Sequence, residues 1–284
     1  MKSSILQLST VVGLVAAGTL SVVSPASAAV PGLVYVQQHT TFDSTVYKSI
    51  TVTCPAGLSA IGAGYELAGA PGSVVLDDFI PNATSVTVGA GEVVGPGEPS
   101  DGTTESWSVS ATAVCAVAPA GLQIVAQPSP FAPGGNRQVT ATCPTGKSLI
   151  GAGSSLSQGF GQVSVRALSL STTTVTATAV DDEDGYSGSW SVTAYAVCAD
   201  ALPGLQLVSA NTNNDSAPSK TVTAPCPAGT RATGSGWNIG AVEQVLAIDT
   251  YIADGTGVTV VGHEDDDGYS NVWNVSATAI CADA

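Results

Sequence analysis

Basic residues are scarce in this chain of 284 residues: seven Lys and Arg stand against 22 Asp and Glu, a formal net charge of −15 at pH 7. So acidic a protein has little with which to neutralise phosphates, which argues against nucleic acid or an anionic membrane as partner. It is compatible with cation binding, with a basic partner and with solubility outside a cell. Histidine occurs twice, at His39 and His263, in places that do not correspond, and Gly-x-Ser-x-Gly is missing. No repeated Ser/His/Asp or Cys/His set can be drawn from that inventory, so the chain is read as a non-enzyme without a resident cofactor. A hydrolase built on two carboxylates is the one enzymatic alternative, because any two acids brought together by folding would serve. Helical periodicity is missing as well, and no apolar run reaches membrane-spanning length.

The chain opens with Lys2, a broken apolar stretch from Val11 to Val23 and Pro25-Ala26-Ser27-Ala28. Residues 1–28 are therefore expected to be an export signal cleaved before Ala29, and the protein to be secreted and extracellular, released without membrane insertion. Six cysteines in an exported chain imply disulfides, with fifteen connectivities in principle. Zinc is a poor rival, since the cysteines are widely spaced and no Cys/His cluster exists. Ser, Thr, Gly, Ala and Val dominate the rest, a composition that suits an exported β protein.

One strand is written three times: Trp107 to Cys115, Trp190 to Cys198 and Trp273 to Cys281, with Trp, Val, Ala, Ala and Cys on alternate positions. The copies mark a tandem repeat. Each unit begins Gly-Leu (Gly32, Gly121, Gly204) and continues through Cys-Pro-x-Gly (Cys54, Cys143, Cys226). A Gly-x-Gly follows (Gly62/Gly64, Gly151/Gly153, Gly234/Gly236), then an Asp-Gly turn (Asp101, Asp184, Asp267), then the Trp-to-Cys strand. The expected organisation is 29–116, 117–199 and 200–284, each an antiparallel β unit of roughly five to seven strands in a small sandwich or Greek-key arrangement. Short linkers make the units abut, either in a stiff array or as a closed pseudo-threefold β-prism. The first unit is longer around Val94–Pro99, which reads as an enlarged loop.

Both cysteines of a unit lie on the apolar face of their strands. Pairing within units (Cys54–Cys115, Cys143–Cys198, Cys226–Cys281) lets each unit complete itself. Pairing between neighbours (Cys115–Cys143, Cys198–Cys226, with Cys54–Cys281 closing a ring) respects the repeat equally well.

The acidic turns are the first candidate site. Asp181-Asp182-Glu183-Asp184-Gly185-Tyr186 and Glu264-Asp265-Asp266-Asp267-Gly268-Tyr269 gather carboxylates before a turn glycine, as a Ca²⁺ loop does. Asp182, Asp184, Asp265 and Asp267 are the candidate calcium ligands, although Val180 and His263 stand where a first ligand belongs. The simpler reading is a solvated Asp-Gly hairpin whose charge blocks edge pairing. Tyr186 and Tyr269 are placed to stack on a sugar or a peptide, and Trp237, at a position where the other units carry Tyr65 and Ser154, is expected to be an exposed contact. The recurring tryptophans read as core anchors. Lys48, Arg137 and Lys220 read as snorkelling residues paired to an acid. The Gly-x-Gly pairs read as bulges or close-packed backbone, and Gly146-Lys147-Ser148 lacks the first glycine of a phosphate loop.

The second unit carries the most specific likeness. Cys143-Pro144-Thr145-Gly146-Lys147, Asp184-Gly185-Tyr186-Ser187-Gly188-Ser189-Trp190, Ala194 to Ala199 and Leu202-Pro203-Gly204-Leu205 resemble a tandem repeat of uncharacterised secreted actinobacterial proteins. That resemblance implies secretion and a repeated β architecture, and no activity. Three Gly-rich units with Cys-Pro-x-Gly are also loosely similar to the vitelline-membrane outer-layer β-prism proteins, which would imply a threefold prism and carbohydrate contact. The expected function is a non-catalytic binding or cell-surface protein contacting glycans or another secreted protein, or else a purely structural, protective one.

Overall fold

In the computed structural model, residues 29–93, 102–159, 161–182, 185–240, 245–252, 254–265 and 268–284 are described. The expected signal and the Val94–Pro99 loop lie outside them. Every regular element among the described residues is a β-strand. Unit one contributes β1 (Val34–His39), β2 (Tyr47–Thr53), β3 (Ser59–Ala68), β4 (Val74–Pro81), β5 (Ser85–Glu92) and β6 (Ser108–Ala116). Unit two adds β7 (Gln123–Pro128), β8 (Ala132–Pro133), β9 (Arg137–Thr142), β10 (Ser148–Ser157), β11 (Val163–Leu170), β12 (Thr174–Asp181) and β13 (Ser189–Ala199). Unit three adds β14 (Gln206–Asn211), β15 (Ser219–Pro225), β16 (Thr230–Ile239), β17 (Val245–Tyr251), β18 (Gly257–Glu264) and β19 (Val275–Asp283).

The alternating pattern explains the strands. Along β15, Lys220, Val222 and Ala224 are buried while their neighbours face solvent. On the outer face, threonines pair across strands at the same place in each unit: Thr51 with Thr87 at 2.9 Å, Thr140 with Thr176 at 2.8 Å, and Thr223 with Thr259 at 2.8 Å. Such pairs add a few tenths of a kcal/mol each and keep the face wettable.

No unit keeps its strands in one sheet. The first sheet runs β1-β6-β3-β17-β18-β15, the second β2-β5-β4-β10-β13-β7, and the third β14-β19-β16-β11-β12-β9. Each unit therefore splits between two sheets, and each sheet joins two units. The first sheet unites units one and three, so the ring closes and the arrangement is the three-sided one. Near the two ends of the described chain, Val30 N donates to Asp283 O at 2.9 Å.

The Gly-x-Gly pairs make this closure possible. Gly62, Gly151 and Gly234 each sit beside a register shift in β3, β10 and β16. A Cβ on Gly62 would overlap Thr233 O, one on Gly151 would overlap Ile61 O, and one on Gly234 would lie 3.0 Å from Ile150 O. The three glycines thus bring the three central strands together backbone to backbone around the pseudo-threefold axis. Disulfides Cys54–Cys115, Cys143–Cys198 and Cys226–Cys281 tie the two halves of each unit, the pairing within units rather than between neighbours. Three such bonds fit an oxidising compartment.

Candidate functional site

The repeated tryptophans anchor the interior, each fully buried. Trp107 Nε1 donates to Glu92 Oε1 at 2.9 Å and Trp273 Nε1 to Glu264 Oε1 at 3.0 Å. Lys48 Nζ stands 5.0 Å from the centroid of the Trp107 ring, Lys220 Nζ 5.0 Å from that of Trp273, and the Arg137 guanidinium 4.4 Å from that of Trp190. Lys48 also pairs with Asp43, and Lys220 with Asp215, as a snorkelling residue paired to an acid should. The lysine bond holds each of those carboxyls below the usual carboxylate range. In unit two Asp181, a methylene shorter than Glu92 or Glu264, accepts instead from Gly135 N at 3.1 Å. Glu264, the first acid of its turn, is therefore spent on structure.

The described acids Asp182 and Asp265 accept bonds from within their own turns. Gly268 N donates to Asp265 O at 3.2 Å and to Asp265 Oδ1 at 3.1 Å, and Gly185 N donates to Asp182 O at 3.1 Å. The positive φ of Gly185 and Gly268 is what such turns require. Asp182 and Asp265 line one small hollow with Val75, Val93, Gln162 and Leu246, and each is engaged by an interaction within the chain. Asp184 and Asp267 lie outside the described residues. Among the described residues no three His, Cys, Asp or Glu side chains converge to hold a metal. Tyr186 and Tyr269 are half-buried and pack against the core rather than standing free.

Trp237 is the clear correction. Expected at the surface, it is 1 % exposed, and its Nε1 donates to Val165 O at 3.2 Å. Its ring packs edge-on at 5.7 Å from Tyr65 and 6.0 Å from Phe79. The cause is its place in β16: like Tyr65 in β3 and Ser154 in β10, it faces inward at a seam between units. The small Ser154 lies opposite Phe79, which fills the space a third large ring would need.

The sequence reading passed over a different constellation, on the outer face of the second sheet where units one and two meet. A register shift between Leu76 and Asp78 in β4 breaks the alternation, so two consecutive acids reach the same partner. The Tyr47 hydroxyl lies 3.2 Å from Asp77 Oδ2 and 3.3 Å from Asp78 Oδ2. Burial, with the charge of Asp78 added, pushes Asp77 up to about 6, and burial raises Asp78 too. Tyr47 is raised by burial and by both carboxylates. Across the seam Asp78 faces Ser155, whose Oγ lies 3.1 Å from the Tyr195 hydroxyl.

Tyr47 needs a bed, and unit one alone provides it. A Cβ on Gly89 would overlap the Tyr47 hydroxyl, and one on Gly91 would lie 3.5 Å from its Cδ2, so the ring lies across the two glycines. The register of β5 against β2 makes their counterparts Thr178 and Val180 in unit two, and Val261 and His263 in unit three. The counterparts of Asp77 beside the matching register shifts are Arg166 and Ile248. Those departures at 47, 77, 89 and 91 are the sequence signal that was available. Beside the tyrosine opens a cleft of about 80 Å³ lined by Val46, Tyr47, Val75, Leu76, Asp77, Gly91, Glu92, Gly161 and Val163.

No protein-family model matches the chain, and a search of curated proteins finds no significant match.

Proposed function

We propose that the protein is an exported, non-catalytic binding protein that contacts extracellular glycans through the outer face of its second sheet. The observation that carries this reading is the Tyr47–Asp77–Asp78 network with Ser155 and Tyr195 beside it. A half-exposed tyrosine ring offers a stacking surface, and carboxylates with spare lone pairs accept from neighbouring sugar hydroxyls. Tyr47 is 42 % exposed, whereas Tyr186 and Tyr269 are packed against the core, so the contact face moves from the acidic turns to the sheet. Secretion accords with the three disulfides and the signal-like start. The rigid, cross-linked body suits a protein that must persist outside a cell.

A hydrolase would need two carboxylates facing each other across a substrate. Asp77 and Asp78 turn onto one phenol instead, which favours holding over cleaving. Retention on a glycan array or on isolated cell wall is the expected result, with Tyr47→Ala and Gly89→Val each reducing it at least tenfold at unchanged melting temperature. If wild-type protein is retained on neither, the glycan reading fails. If it is retained and both variants bind as wild type, the face has been misplaced.

A further inference from the structure

The ring closes where the chain gives it least help. Units one and two, and units two and three, follow each other through the short stretches 117–121 and 200–204, so their seams are tethered. Units three and one are not consecutive in the chain, and β3 and β17 must hold their seam by contact alone. Every seam ladder is short. Among the described residues the register pairs are Ser154–Phe79 and Ser155–Asp78 between units one and two, and Ala167–Asn238 and Leu168–Trp237 between units two and three. Between units three and one they are Asp249–Glu66 and Thr250–Tyr65. Only this last seam sets two carboxyl groups directly opposite each other. Like charges so placed destabilise a sheet. Both side chains are half-buried, so water screens their repulsion poorly.

The rest of the seam is well made. The Tyr65 hydroxyl donates to Ala247 O at 3.0 Å, the Tyr35 hydroxyl to Ala232 O at 2.8 Å and Ser235 Oγ to Ala63 O at 3.0 Å. Leu67 N donates to Asp249 Oδ1 at 3.0 Å. Of the strands packed on β17, β3 brings Glu66 and Tyr65. Strand β18 sets Val261 beside Asp249, while its titratable His263 and Glu264 pair with Leu246 and Val245. The others carry Arg231 on β16, Arg166 on β11, and Asp77 and Asp78 on β4. The charge that acts on Asp249 is that of Glu66.

We propose that Asp249 and Glu66 make the seam between units three and one a pH-operated clasp, tight while Asp249 keeps its proton and loosened when both carboxyls are ionised. Burial, aided by the charge of Glu66 and opposed by the Leu67 bond, pushes Asp249 up to about 7. The proton is therefore held more tightly in the closed seam than in an open one. The clasp is strongest in acid and weakens as pH rises from about 4 to about 7. Loosening parts β3 from β17 and bares two strand edges. No disulfide has to break, since Cys54–Cys115 and Cys226–Cys281 each lie within a unit. The clasp is independent of what the second sheet binds.

Hydrogen exchange read by mass spectrometry at about pH 5 and about pH 8, corrected for the pH dependence of chemical exchange, tests the clasp. Peptides from β11, at the seam without a carboxyl in its register pairs, serve as the reference. On going to the higher pH, peptides from β3 and β17 are expected to lose protection at least about tenfold more than the reference. Asp249→Asn should erase that difference and Glu66→Gln should lessen it, and the second variant carries the test if the first does not fold. An equal change in all strands would place the pH effect in the whole molecule and overturn the clasp. A difference that persists undiminished in either variant would overturn it as well.

Discussion

Asp249 shows how one side chain can carry a pH dependence for the whole protein. It lies in β17 opposite Glu66 of β3, on the seam between units three and one, and its Oδ1 accepts from Leu67 N at 3.0 Å. Burial pushes its carboxyl up to about 7, against the pull of the Leu67 bond and with help from the charge of Glu66. A carboxyl raised in the folded state binds its proton more tightly folded than unfolded. Its contribution is therefore favourable at acid pH and is lost as pH rises from about 4 to about 7. Asp249→Asn keeps an acceptor for Leu67 N and removes the titration. The variant should match wild type near about pH 4 and exceed it by roughly 1–3 kcal/mol near about pH 8. Urea unfolding at the two pH values checks this, and a constant difference between them would show that Asp249 ionises freely.

The central strands β3, β10 and β16 set the limits of variation at the next scale. Their first glycines are demanded by contact with a neighbouring backbone rather than by φ, since none of the three has a positive φ. Gly151→Ala should overpack the axis against Ile61 O and destabilise by about 1–3 kcal/mol. Gly91→Ala, where a Cβ meets only an ordinary contact with the Tyr47 ring, should cost little. Equal losses of melting temperature in the two variants would refute the close-approach account. The strand ends behave differently. Around the Asp-Gly turns the units diverge in sequence, and bonds from Gly185 N to Asp182 O and from Gly268 N to Asp265 O close the described parts of two of those turns locally.

At the scale of the molecule, each unit is incomplete without the others. Unit two gives β7, β10 and β13 to the second sheet and β9, β11 and β12 to the third, so its seam edges at β10 and β11 are covered by β4 and β16. Its internal disulfide cannot replace those neighbours. Residues 117–199 expressed alone are expected either to remain unfolded or to associate into trimers that rebuild the threefold body. Circular dichroism with analytical ultracentrifugation separates these outcomes from the opposing one, a folded monomer, which would make the unit a domain in its own right.

Much of this was legible from residues alone. The period-two pattern, the three copies and the six cysteines determined an all-β protein of three alike units, because strand alternation and disulfide chemistry are local properties. The Trp-to-Cys strand announced itself as core for the same reason. Only the tertiary structure decided which cysteines pair, that every unit splits between two sheets, and that Trp237 turns inward, since these depend on what lies across a seam. It also decided how Asp77 and Asp78 come together. Asp77 and Asp78 are neighbours in sequence, which strand alternation assigns to opposite faces. A register shift in β4 and a bed of two glycines under Tyr47 bring them to one hydroxyl, and neither can be seen without knowing which strands lie side by side.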